Sequence, residues 1–196
     1  MKQPIKSALA LSSAVVAVVG LVLAPVAADA ASTTTVTAVL SGSASVSSTS
    51  TTVSLPITPT VSGSFTAAAD TVVAGTNNPT GYKLQISGTP TALTKGADTI
   101  AASSGTPASP ISLAANTWGY HVDGQYGFTG TGAAVTNQAS LAGNWAGVTG
   151  TAVDIKTVAT ATASDSTSVW FGAGATTAKP AGNYAAVVTY TAVTNP

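Results

Sequence analysis

The chain has 196 residues, zero formal net charge, and no cysteine, arginine or glutamate. Lacking cysteine it has no disulfide framework and no thiolate metal site; lacking a basic patch it offers no footprint to nucleic acid or to an anionic membrane surface. With 45% hydrophobic and only 6% charged residues it is the reverse of a disordered composition, and a chain of this size buries enough surface to fold unaided.

The first thirty residues read as an export signal. Lys2 and Lys6 form a basic start, Ala8 to Ala24 is an uncharged apolar run, and Ala28-Asp29-Ala30 has the small-x-small pattern of a cleavage site. A secreted, extracellular cell-surface location follows as the expectation, with membrane contact only during export. Residues 31–59 are a Ser/Thr/Val-rich arm, read either as a stalk or as a strand. Val36, Ala38 and Leu40 alternate with Thr35, Thr37 and Val39, and Pro56 and Pro59 mark an edge or a break.

Residues 60–196 carry the alternation of half-buried strands. Val61 to Ala69 and Asp70 to Gly75 read as two short strands. The turn Asn77-Asn-Pro-Thr-Gly81 then delivers Tyr82, Leu84 and Ile86 to one face and Lys83, Gln85 and Ser87 to the other. Pro90 to Pro110 is looser, with Ile100 as its anchor. Trp118, Tyr120 and Val122 restore the pattern, and Asp123 to Gly150 is a long glycine-rich stretch with room for one short element near Asn137. Val153 and Ile155, then Val169 and Phe171, precede the longest alternation, in which Tyr184, Ala186, Val188, Tyr190 and Ala192 share a face. Short strands between turn signals predict an all-β fold: a single antiparallel β-sandwich, Ig-like or fimbrial-adhesin-like, of about eight to ten strands behind an N-terminal signal helix.

Chemistry is sparse. The single histidine, His121, lies two residues before Asp123 on a predicted strand, so the two share a face. No Gly-x-Ser-x-Gly elbow surrounds any serine, and the expected setting is a solvent-facing histidine beside a turn aspartate. The aspartates are not paired for acid–base work. One histidine does not build a zinc site, and no calcium-loop spacing occurs. A non-enzymatic protein without catalytic residues, metal or cofactor is the expectation. The aromatic residues divide in two. Trp118 and Tyr120 have the alternation of core residues, whereas Tyr126, Phe128 and Trp145, on the glycine-rich stretch, are the candidate ligand-binding residues, because exposed rings stack on sugars or anchor interfaces.

The segments Asn78-Pro-Thr-Gly-Tyr82-Lys-Leu-Gln-Ile, Asn116-Thr-Trp-Gly-Tyr120, Trp145-Ala-Gly-Val148 and Ala181-Gly-Asn-Tyr184 through Tyr190 resemble a loose group of small exported bacterial surface and fimbrial-type β-sandwich proteins. The resemblance spans roughly Val61 to Val193. It implies a surface, pilus-like or matrix subunit and supplies no catalytic residues. The expected partners are copies of itself or other surface subunits, joined through β-strand edges by Thr33–Leu40 or Thr51–Ile57. The alternative is an adhesin for glycans or host surface proteins that uses the aromatics of the glycine-rich stretch.

Overall fold

Alternating side chains and turn residues lay down nine strands among residues 35–196, the part of the chain that the computed structural model describes. They are β1 (Ala44–Ser48), β2 (Ser64–Thr76), β3 (Tyr82–Lys95), β4 (Asp98–Ala102), β5 (Thr117–Val122), β6 (Val135–Gln138), β7 (Val153–Val158), β8 (Thr162–Ala175) and β9 (Ala185–Thr194). The expected signal helix lies outside the described residues.

The strands hydrogen-bond in the order β1-β2-β8-β5-β4-β3-β7, with β6 also on β2 and β9 also on β3. All pairs are antiparallel except β4–β5, which runs parallel through Ala101–Thr117 and Ala102–Trp118. The all-β class therefore holds, while the expected single antiparallel sandwich becomes one continuous mixed sheet. β4 is the reason. It leaves β3 by the tight Lys95–Asp98 hairpin and then pairs with β5, stitching what would be two leaves into one. Because β1 lies alongside β9 without a ladder between them, the sheet from Leu40 onward wraps into a nearly closed barrel.

The inner face holds the main core. Tyr82, Leu84, Ile86, Tyr120, Val122, Ile155 and Val169 are fully buried there, with Trp118 and Phe171; each such side chain contributes about 1.5–3 kcal/mol by leaving water. In β9, Ala186, Val188, Tyr190 and Ala192 pack onto this core while Val187 and Val193 face out, as the alternation predicts.

Two expectations change. Val61–Ala69 and Asp70–Gly75 are one strand, because Asp70 does not interrupt β2: its carboxylate is buried and accepts a 2.7 Å hydrogen bond from Ser48 on β1. The arm is divided. Residues 35–43 carry no strand and leave Val36, Val39 and Leu40 exposed, whereas Ala44–Ser48 pairs with β2 and Val53, Leu55 and Ile57 pack against the core.

Candidate functional site

The glycine-rich stretch is a cover for the sheet. On the face of β2, β5 and β8 opposite the main core, Phe65, Ala67, Leu113 and Trp145 form a second buried cluster, with Val135, Leu141 and Trp170 against it. Small residues on β8 make the room: a side chain at Gly172 would meet the Trp145 ring at 2.7 Å, and one at Gly174 would collide with the Phe65 ring. The short element expected near Asn137 is β6, which pairs with β2 and fixes one end of this cover.

His121 and Asp123 fasten the other end. Asp123 Oδ1 accepts from His121 Nε2 at 2.9 Å and from the Gly132 amide at 2.7 Å, and its Oδ2 accepts from the Trp170 indole at 3.1 Å. His121 Nδ1 lies 2.8 Å from the Asn144 carbonyl, and the ring is flanked by Phe128 and Trp145. With an acceptor at each ring nitrogen, both bonds form together only when the ring carries both protons. The expected contact with Asp123 exists, but the expected solvent-facing setting does not: His121 is 1% exposed because the cover closes over it. The three donors and the buried ring describe a clasp, and among the described residues no serine hydroxyl is hydrogen-bonded to the imidazole.

The three aromatic residues singled out in the sequence are placed differently from one another. Phe128 and Trp145 are 5% and 2% exposed, the first in the main core and the second in the cluster under the cover, so neither presents a face to a ligand. Tyr126 is 50% exposed. Its backbone has φ +48°, a left-handed conformation that is costly for a residue of this size. Its hydroxyl is 3.1 Å from Thr157 Oγ1, which brings the ring to the outward side of β7.

Lys83, the register partner of Thr157, lies next to this contact in a group of polar residues that no sequence motif marks. Lys83 pairs with Asp154 at 2.8 Å, and Gln85 donates to the same carboxylate at 2.7 Å. The Asp154 bond raises the Lys83 pKa, and the Lys83 bond lowers that of Asp154 against the opposing effect of its partial burial. The outward half of the Tyr82–Ser87 alternation was the only signal for Lys83 and Gln85, and the alternation of Asp154 with Val153 and Ile155 was the only one for Asp154.

Inside the barrel a polar group bridges facing strands. Asp165 on β8 accepts from Tyr82 at 2.8 Å and from Lys156 at 2.7 Å, and Lys156 also reaches Thr167 at 3.0 Å. Burial, and then the Asp165 bond, raise the Tyr82 phenol well above its ordinary value. Lys95 reaches Asp98 and the Ala181 carbonyl, and Lys179 reaches the Thr99 carbonyl. Every described lysine and aspartate is thus bonded within the fold. The described charges tie strands and their connecting loops together.

Comparison with protein-family models, curated proteins and solved structures finds no match to the chain.

Proposed function

We propose that the chain is a non-enzymatic cell-surface, pilus-like or extracellular-matrix subunit that associates with copies of itself through β-strand edges. The observation that carries this reading is the exposed arm. Val36, Val39 and Leu40 are 81–89% exposed, in a stretch without charge from Ala30 to Ala69, and an uncharged apolar segment in water favours adding to a sheet edge. The edges differ in how they receive one. β7 carries an irregularity opposite Leu84–Gln85, and its Lys156 points inward; bulges and inward charges are devices that discourage pairing. β9 is ten residues long and uncharged, with a ladder to β3 and with β1 alongside it but not hydrogen-bonded to it.

The export-type start of the sequence and the likeness of the Gly-Tyr, Trp-Gly-Tyr and Gly-x-Tyr segments to fimbrial-type sandwich subunits support the same reading. The test substitutes Val36→Lys and Leu40→Lys together. Both side chains are exposed, so the fold is expected to stand while self-association is lost; association at wild-type strength would sink the reading.

A second reading, an adhesin for glycans, is favoured by one observation: the exposed and strained Tyr126.

A further inference from the structure

We propose that Tyr126, with Lys83, Gln85 and Asp154, forms a shallow subsite for a neutral sugar ring. The assignment rests on the adhesin reading and names its residues and ligand class.

The ring supplies the apolar surface. Tyr126 is half exposed and its hydroxyl is tied to Thr157, so it loses little freedom when a ligand arrives. The backbone around it is held by other groups: Gln125 donates to the Val122 carbonyl, Gly127 to the Pro107 carbonyl, and Phe128 to the Gln125 carbonyl. That frame, together with the buried Phe128 side chain, keeps Tyr126 in the left-handed region. Asn116 and Asn137 also have positive φ, but asparagine tolerates that region and bulky side chains rarely do. A strained aromatic residue that contributes nothing to the core is better explained by what it presents outward than by packing.

Lys83, Gln85 and Asp154 supply the polar half. The carboxylate accepts from both neighbours yet keeps lone pairs, the lysine keeps donors, and the amide keeps its carbonyl oxygen. Lys83 is the register partner of Thr157, which holds the Tyr126 hydroxyl, so donors and acceptors stand toward the hydroxyl end of an exposed ring, the pairing that a sugar presents in reverse through its apolar C–H face and its hydroxyls. The Lys83–Asp154 pair sums to zero charge, which selects a neutral ring over a sulfated, phosphorylated or uronic one.

The test exploits the strain. Wild type, Tyr126→Gly and Asp154→Asn are applied to an array of neutral and anionic oligosaccharides, with thermal melting measured in parallel. Tyr126→Gly relieves the left-handed strain, so its melting temperature is expected to be unchanged or higher while binding of neutral oligosaccharides falls at least tenfold; Asp154→Asn is expected to weaken the same glycans. Wild-type binding that survives Tyr126→Gly would overturn the subsite and leave the adhesin reading standing. A wild type that binds no glycan would overturn both. Preference for anionic glycans would overturn the neutral-ring assignment.

Discussion

Glycine and tyrosine carry much of the fold at the scale of single residues. Gly174 on β8 is where the Phe65 ring lies, and Gly172 is where the Trp145 ring lies. Gly174→Ala is expected to destabilise the protein by about 1–3 kcal/mol, the usual cost of forcing extra volume into a packed site, measured as a lower urea midpoint with an unchanged slope. The buried tyrosines set an alkaline limit. Burial raises the phenols of Tyr82, Tyr120 and Tyr190 above the ordinary 10.0, aided at Tyr82 by Asp165 and at Tyr190 by Asp70. A group whose folded-state pKa is raised gives stability that is complete below its unfolded value and is lost as pH rises above it. Unfolding is therefore expected to become easier from about pH 10 upward. Tyrosinate absorbance of these three should appear with loss of structure; their titration in a protein that stays folded would contradict the burial.

At the scale of elements, alternation made β3, β5 and β9 legible, because period two is a property of neighbouring residues. Tyr82, Leu84 and Ile86 are inside as read, and so are Trp118 and Tyr120. What alternation does not carry is partner choice. Nothing local in Asp98–Ala102 says that it pairs parallel with β5, and nothing in Asp123–Gly150 says that it folds back over the sheet. Trp145 was ambiguous for that reason: the slot that buries it is made by Gly172, far along the chain. Tyr126 was as ambiguous as Trp145 on the same glycine-rich stretch, and its polar neighbours are brought to it by β3 and β7. The same topology controls cleavage. Lys83 and Lys156 lie inside paired strands, Lys179 precedes Pro180, and Lys95 ends β3 at a tight hairpin. Limited trypsinolysis of the folded chain beginning at Ala31 is expected to cut first after Lys95, seen by intact mass. A first cut after Lys83 or Lys156 would mean that β3 or β7 opens more readily than the hairpin.

At the scale of the whole molecule, the chain from Leu40 onward is a nearly closed sheet whose charged side chains are bonded within it, and the arm that precedes it in sequence is uncharged from Ala30. The inward Lys156 and the irregular β7 edge discourage one route of association; the exposed Val36, Val39 and Leu40 favour another. Such a surface, near neutral and solvated by serine and threonine, does little to keep copies apart. The central claim is that this arm joins one copy to the next. Light-scattering mass as a function of concentration tests it on the chain beginning at Ala31, beside the same chain carrying Val36→Lys and Leu40→Lys. The account predicts a mass that climbs above that of one chain as concentration rises and stays at one chain in the substituted protein. A single-chain mass for both at every concentration, or equal growth in both, would contradict it.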